Sequence, residues 1–145
     1  MPEMNTQRNM QLDPDVRRFL EQPGRFGVLA TVNPDGTPHQ CVVWYRLTDE
    51  GVLMNSAAGR RWPTNLRRDP RASLLVEDGY RYVVLRGEVT VIDEPQQAQA
   101  DIAGLAYLYH RDDPGEAERL VREVFRTQQR MSFLLRPQSV GVHQD

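Results

Sequence analysis

The sequence predicts a mainly β protein with flanking helices, built as one six- or seven-stranded antiparallel barrel. Short apolar segments with strand composition recur along the chain, and most of them are separated by tight-turn signals. Helical periodicity is confined to a few segments. At 145 residues, the chain is long enough for one domain with a substantial core.

The first half of the chain is predicted to form one helix and a three-stranded meander. Asp13 followed by Pro14 is typical of a helix N-cap with proline at the first helical position, and this helix ends near residues 23–24. Residues 33–36 and 48–51 have the composition of turns. The strands that they separate span residues 26–32, 38–47 and 52–56.

The second half of the chain is predicted to alternate helices and strands. An arginine-rich segment holds one short helix, with Pro63 in its first turn and Asp69 at its end. Gly87 lies inside a strand, where a glycine indicates a bulge or the close approach of another backbone. The remaining elements are strands at 72–77 and 82–92, helices at 94–109 and 116–129, a strand at 132–135 and a candidate seventh strand at 139–142.

Composition and charge exclude several classes of function. A net charge of −2 and a pI of about 5.9 do not provide the broad basic surface that nucleic-acid binding needs. No segment approaches the ~18 apolar residues of a membrane span. Residues 1–11 are polar and do not resemble a signal peptide, so we expect a cytoplasmic protein. The predicted organisation is a flexible tail over residues 1–12 and one domain over residues 13–145.

Motifs for nucleophilic or metal chemistry are weak. Cys41 is the single cysteine and shares a strand face with His39, but the pair is better interpreted as a small buried hydrophobe beside a histidine. The three histidines are far apart and no pair has metal-binding spacing, so no metal is expected. No catalytic residue is assigned. Tyr45 and Tyr82 are either proton donors or core aromatics with satisfied hydroxyls.

The most informative segment is residues 59–71, which carries five arginines in thirteen positions. The planar guanidinium group binds phosphate and carboxylate in bidentate fashion. Gly59 and a helix that begins near Pro63 place backbone N–H groups and the positive end of a helix dipole in the same segment. Such a concentration of cations is either a solvated helix face or an anion site.

The residues of this segment are expected to have two different roles. Arg60, Arg61 and Asn65 are predicted to form the anion site, because they flank the start of the helix. Arg68 and Arg71 are expected to form ordinary surface pairs in solvent.

Several segments resemble the split β-barrel flavin and deazaflavin proteins related to pyridoxamine 5′-phosphate oxidase. More narrowly, the chain is similar to the actinobacterial oxidoreductases of this class that depend on coenzyme F420. The arginine-rich segment is the most specific part of the resemblance, which covers nearly the whole chain. The matching segments are residues 27–31, 35–38, 43–45, 59–61, 65–71, 86–89 and 133–137.

The resemblance implies a homodimer with cofactor sites at the subunit interface and a hydride transfer to an electron-poor double bond of a small organic substrate. Coenzyme F420 is the expected cofactor. An FMN protein of the same fold and a carrier for F420 or a related ligand remain alternatives, and a few relatives bind haem. A homodimer is also expected on physical grounds, because an open barrel leaves strand edges and apolar faces to be covered.

The resemblance also implies roles for individual residues. Arg60 and Arg61 would bind the cofactor's phosphate, while Asn65 and Arg67 would hold its tail. Tyr80 would reach the site from the second subunit. The remaining implied contacts are Asn55, Ser56 and Ala57, just before the arginines, and His39, Cys41 and Val43, along the strand behind the ring system.

One departure from the family pattern concerns cofactor choice. Many relatives carry lysine and arginine where this chain has Trp62 and Thr64. Trp62 is expected either to line the ring pocket or to pack on the barrel.

Overall fold

The computed structural model describes residues 11–144, which form one seven-stranded sheet with every neighbouring pair of strands antiparallel. The strands are β1 (Gly27–Val32), β2 (Pro38–Val43), β3 (Arg46–Leu47), β4 (Val52–Ala57), β5 (Arg71–Asp78), β6 (Arg81–Ile92) and β7 (Arg130–His143). Their order in the sheet is β2-β1-β5-β6-β7-β4-β3. The predicted fold class, mainly β with flanking helices, is confirmed.

The sheet curls into a split barrel whose two edge strands are neighbours in the chain. Only Trp44 and Tyr45 separate β2 from β3, so the predicted continuous strand over residues 38–47 is wrong at this point. The Tyr45 backbone N–H donates to Tyr109 Oη (3.0 Å), and that hydroxyl lies 3.2 Å from the Tyr45 carbonyl oxygen. These backbone groups therefore bond to a helix side chain in place of a neighbouring strand.

The predicted sixth and seventh strands are parts of one 14-residue strand, β7. Its first half pairs with β4, and it pairs with β6 along nearly its whole length. The register shifts between Arg86 and Gly87, which confirms the predicted irregularity at Gly87. A Cβ atom at this glycine would lie 2.0 Å from the Arg136 carbonyl oxygen, so only glycine permits the close approach of the two backbones.

In the described part of the chain, four α-helices flank the sheet: α1 (Pro14–Leu20), α2 (Arg61–Arg68), α3 (Pro95–Tyr109) and α4 (Pro114–Glu123). Asp13 caps α1 as predicted, since its Oδ1 accepts the Asp15 N–H at 2.8 Å. The prediction of one helix over 116–129 is wrong at its end, where a 3₁₀ turn at Phe125–Thr127 follows α4. The Gln99 amide donates to the Phe125 and Gln128 carbonyl oxygens (2.9 and 3.1 Å), which holds this segment outside the helix.

The apolar side chains of residues 11–144 form two buried clusters. The larger fills the barrel and includes Leu29, Leu74, Leu85 and Phe133, all fully buried. The smaller lies between α3 and α4. The predicted tail lies outside the described residues over 1–10, whereas Leu12 packs against the barrel cluster. Within residues 11–144, no helix is both long enough and apolar enough to span a membrane.

Candidate functional site

A cleft of about 210 Å³ opens beside the break between β2 and β3. Its walls come from the end of β2, from β4 and the start of α2, from α3 and the segment after α4, and from the first residue of β7. Seven of its ten lining residues are apolar, and Asn55 and two arginines supply a large polar share of its surface. The lining residues are Val42, Val43, Trp44, Asn55, Arg60, Trp62, Ile102, Leu105, Phe125 and Arg130.

Arg130 is a buried cation in this cleft, with only 6% of its surface exposed. Its Nε donates to Asn55 Oδ1 (3.0 Å), its Nη1 donates to Gln128 Oε1 (2.6 Å), and the guanidinium lies 4.8 Å from the centre of the Phe125 ring. Within residues 11–144, no carboxylate forms an ion pair with it. Burial, and then the nearby charge of Arg60, lower the pKa of Arg130 to about 10. The group is therefore charged at neutral pH, with neutral hydrogen-bond partners.

A chain of buried hydrogen bonds orients Arg130. Asn55 Nδ2 donates to the Ala98 carbonyl oxygen (2.9 Å) and to Ser132 Oγ (3.1 Å), which leaves Asn55 Oδ1 to accept from the arginine. Ser132 Oγ donates in turn to Asp101 Oδ2 (2.6 Å). Ser132 and Asp101 are both buried. Each donor in this chain has one acceptor, and the chain ends on Ala98 and Asp101 of α3. The helix therefore fixes the orientation of Asn55, and Asn55 in turn positions the guanidinium.

Two further arginines lie at the start of α2. Arg60 is the N-cap residue and Arg61 the first helical residue, directly after Gly59, whose φ of 90° favours glycine. Both side chains are exposed, and neither makes an ion pair or a side-chain hydrogen bond with any residue of the described part of the chain. The first turn of α2 holds no acidic residue. Two cations therefore lie at the positive end of a helix dipole, where an anion is stabilised.

Aromatic side chains supply the flat walls of the cleft. Trp44 stacks on Tyr109, with ring centroids 5.1 Å apart, and meets Phe125 edge-to-face at 6.5 Å. Trp62 lines the cleft and also packs against Phe133 at 4.7 Å. Trp62 therefore both lines the cleft and packs on the barrel, which were the two alternatives expected for it.

Of the residues predicted to bind a cofactor, Val43, Asn55 and Arg60 line the cleft. Ala57 lies next to it, because it pairs with Arg130 across β4 and β7. Ser56 is buried, and its Oγ donates to the Ala57 carbonyl oxygen at 2.9 Å. Their roles in binding stay predictions.

Asn65 and Arg67 are engaged within the protomer. Asn65 is buried, and its Nδ2 donates to Thr31 Oγ1 and Asn33 Oδ1, both at 3.1 Å. This amide joins α2 to the end of β1. Arg67 forms a 2.7 Å ion pair with Asp93, so binding a cofactor tail with Arg67 requires an exchange of partners.

Of the two arginines expected in surface pairs, Arg71 pairs with Asp69 at 2.7 Å and is exposed. Arg68 is also exposed, but its guanidinium bonds to the Val32 carbonyl oxygen and, at 3.3 Å, to Asn65 Oδ1. Arg68 therefore secures α2 against the end of β1.

His39 and Cys41 lie on the more buried face of β2 with Val43, as the alternation predicts. Cys41 packs against the barrel cluster, and burial raises the pKa of its thiol. Tyr80 is 85% exposed in the turn between β5 and β6 and does not line the cleft. Its predicted approach to a second subunit stays a prediction.

The two tyrosines considered as proton donors have other contacts. Tyr45 is buried, and its hydroxyl donates to the Leu20 carbonyl oxygen at 2.5 Å, so it is a core aromatic with a satisfied hydroxyl. Tyr82 stacks on His143, with centroids 5.2 Å apart. It lines a larger cavity of about 640 Å³ between α1 and the ends of β6 and β7. That cavity contains none of the predicted cofactor residues.

Sequence reasoning missed Arg130 and Phe125. Arg130 comes directly before an apolar strand, but its burial depends on pairing with Ala57, which is far away in sequence. Phe125 was placed in a helix that ends before it. The pairing of β4 with β7 and the residue at which α4 ends, which place these two side chains at the cleft, could not be predicted from the sequence.

A family model and several solved structures match this chain. The pyridoxamine 5′-phosphate oxidase family model matches residues 12–129, which include all of the cleft except Arg130. The chain belongs to this family. The recognition made from the arginine-rich segment and the strand motifs is confirmed at this level.

Solved structures of similar fold carry different descriptions. A conserved hypothetical protein from Mycobacterium tuberculosis is 25% identical, with a TM-score of 0.71 over 92% of this chain and 86% of that chain. A protein described as an F420 reductase is 25% identical, with a TM-score of 0.64 over 82% of this chain and 90% of that chain. A haem storage protein from Vibrio cholerae shares the fold at 19% identity, with a TM-score of 0.65 over 92% and 95% of the two chains. Membership of the pyridoxamine 5′-phosphate oxidase family therefore fixes the fold, and the activity and the ligand are argued from the cleft.

Proposed function

We propose that the protein is an oxidoreductase that uses coenzyme F420 to transfer a hydride to an electron-poor double bond of a small organic substrate. The observation that carries this proposal is the pair Arg60 and Arg61, which lie at the start of α2 without any carboxylate partner in the described part of the chain. The family and the F420 reductase of similar structure support the cofactor class.

The donor set fits a cofactor that carries a phosphodiester. Arg60 and Arg61 lie at the start of α2, where the backbone N–H groups of Arg61 and Trp62 have no partner within the helix. Without an anion, these like charges repel each other and oppose the helix dipole. A bound phosphate removes both costs, so the arrangement favours anion binding.

The flat part of the cofactor would lie against apolar surface near the cleft. The deazaflavin supplies the hydride chemistry when bound, while the protein supplies binding, orientation and exclusion of water. In this proposal Asn55, Ser56 and Ala57 contact the cofactor just before the arginines. His39, Cys41 and Val43 support the strand behind the ring, Asn65 and Arg67 hold the tail, and Tyr80 of a second copy completes the site.

The proposed homodimer would cover surface that the single chain leaves exposed. β2 and β3 are both sheet edges, and Val42 at the end of β2 is 68% exposed. Val140 and Val142 of β7 are exposed at 42% and 46%. Sheet edges and apolar faces of this kind are normally covered in an assembly.

A carrier function is the second candidate, and one observation favours it. The residues that line the cleft include no Asp, Glu, His or Tyr side chain, so within residues 11–144 the cleft offers no carboxyl, imidazole or phenol for proton transfer. A protein that only holds its ligand needs none. FMN also carries a phosphate and would use the same arginines.

Titration of the purified protein with F420 and with FMN, followed by fluorescence, tests the cofactor. We expect F420 to bind and Arg60→Ala or Arg61→Ala to weaken it about tenfold or more, the effect of one charge-assisted hydrogen bond. Arg71→Ala is the matched control, because Arg71 pairs with Asp69 on the surface. Tight FMN binding without F420 binding would overturn the proposal.

Activity separates the enzyme from the carrier. We expect reduced F420 to be consumed with a conjugated enone such as cyclohexenone, and consumption to fall in Arg60→Ala in proportion to the lost affinity. F420 binding without turnover of any enone tested would favour the carrier.

A further inference from the structure

The unusual feature of the cleft is a charge that the described chain does not neutralise. Only 6% of the Arg130 surface is exposed, and its side chain donates hydrogen bonds to two neutral side-chain amides. Among residues 11–144, the only other charged group that lines the cleft is Arg60, which has the same sign. A buried cation usually has a carboxylate partner or an anionic ligand, because burial without either is costly.

We infer that Arg130 anchors the anionic group of a flat, conjugated organic acid, and that this cleft is its binding site. The inference deepens the proposed function by naming the substrate class, and in that respect rests on it. Arg60 lines the same cleft, and in this assignment Arg130 takes the anionic group of the substrate while Arg60 and Arg61 take the phosphate of the cofactor.

The walls define the rest of the ligand. Trp44, Phe125 and Trp62 line the cleft with aromatic side chains, and Ile102 and Leu105 of α3 line it with aliphatic ones. A planar apolar body fits such walls, since aromatic faces stack and no polar group of the ligand is stranded. With a guanidinium at one end, the complementary ligand is an aromatic or conjugated carboxylate.

Several buried contacts hold the Arg130 side chain in place. The chain from Asp101 through Ser132 and Asn55 ends on Arg130 Nε, and the Phe125 ring lies against the guanidinium. The pKa of Arg130 is lowered because burial and the charge of Arg60 both destabilise its charged form. A bound carboxylate would stabilise that charged form.

The two tryptophans of the chain, Trp44 and Trp62, both line the cleft, so intrinsic fluorescence reports on its occupancy without any cofactor. The probes are trans-cinnamate and its uncharged amide, trans-cinnamamide, which have nearly the same shape. Both are titrated at constant ionic strength into the full chain. We expect the acid to bind about tenfold or more tightly than the amide, as for one charge-assisted hydrogen bond.

Variants assign this preference to Arg130. Arg130→Gln should abolish it, and Arg130→Lys should keep part of it, because lysine retains the charge and loses the planar fork. Arg136→Gln is the matched control on the same strand, where the side chain is exposed. Circular dichroism confirms that each variant is folded.

Each outcome decides the inference. Equal affinity of the wild-type protein for acid and amide would overturn it, and so would an unchanged preference in Arg130→Gln. Loss of F420 binding in Arg130→Gln with an intact acid preference would assign Arg130 to the cofactor and also overturn it. An acid preference that depends on Arg130, in a protein that binds no F420, would support this site and remove the proposed function.

Discussion

Arg130 Nε lies 3.0 Å from Asn55 Oδ1, and this hydrogen bond joins the first residue of β7 to the strand beside it. The register explains the contact, because Asn55 pairs with Ser132 and Ala57 pairs with Arg130. Side chains two residues apart share a strand face, so Asn55, Arg130 and Ser132 all point to the same side of the sheet. That side is covered by α3, whose Ala98 and Asp101 complete the network.

Asn55→Asp should neutralise the cleft from within. A carboxylate at this position can pair with Arg130, which would then have no need of an external anion. We expect the preference for cinnamate over cinnamamide to disappear, as measured by tryptophan fluorescence. The variant should also be less stable, because a carboxylate cannot donate to the Ala98 carbonyl oxygen, and circular dichroism checks that it is folded in the assay. Gln138→Glu, at an exposed position of β7 that does not line the cleft, adds the same charge and should leave the preference intact. A preserved preference in Asn55→Asp would contradict this account.

Asp101→Ala should destabilise the fold through the polar network. Ser132 Oγ–H and the Gln97 amide both donate to Asp101, so removing its carboxylate leaves a buried hydroxyl without its acceptor. We expect the free energy of unfolding to fall by about 1–3 kcal/mol in urea titrations. Asp112→Ala, at an exposed loop position, is the control and should change stability little. If the two variants have the same stability, the network contributes nothing measurable.

Local signals account for the parts of the fold that the sequence predicts well. The cap at Asp13 depends on residues that are adjacent in the chain, and so do the turns that join the strands. The break at Tyr45 could not be predicted in this way, since it depends on Tyr109, 64 residues away. The end of α4 likewise depends on Gln99 of another helix.

The residues of the candidate site also differ in whether local sequence or tertiary packing places them. Arg60 and Arg61 were found because glycine, arginine and a helix start are contiguous in sequence. Arg130 was missed because only the pairing of β4 with β7 carries it to the cleft. Asn65 matched a binding motif, but its amide is engaged with Thr31 and Asn33, partners that only the packing of α2 on β1 reveals.

Tyr45→Phe should change how stability depends on pH. Burial, and then the neighbouring Tyr109, raise the pKa of Tyr45 well above its usual range. Below about pH 10 the phenol is protonated in both folded and unfolded chains, so this group gives no pH dependence. Above that pH the unfolded chain loses its proton first, and stability falls as pH rises. The variant should show a shallower alkaline decline in urea titrations.

At neutral pH the same variant should be less stable by about 1 kcal/mol, because the hydrogen bond to the Leu20 carbonyl oxygen is lost. Tyr107→Phe, at an exposed position, is the control for both measurements. An alkaline decline as steep in Tyr45→Phe as in the wild-type protein would show that Tyr45 does not cause it.

Two glycines provide a matched test of the β6–β7 bulge. Gly87→Ala places a Cβ atom 2.0 Å from the Arg136 carbonyl oxygen and 2.9 Å from its carbon, so one strand must shift. We expect a loss of about 1–3 kcal/mol in the free energy of unfolding, the usual cost of forcing an extra methyl group into packed structure. Gly104 lies exposed in α3, and an added Cβ would have no atom within 4 Å apart from its chain neighbours and the backbone of its own helix. Gly104→Ala should therefore stabilise the protein by about 0.5–1 kcal/mol, since alanine favours the helix over glycine. Thermal or urea unfolding of both variants measures the difference, and a Gly87→Ala protein as stable as the wild type would mean that the strands do not require glycine at the bulge.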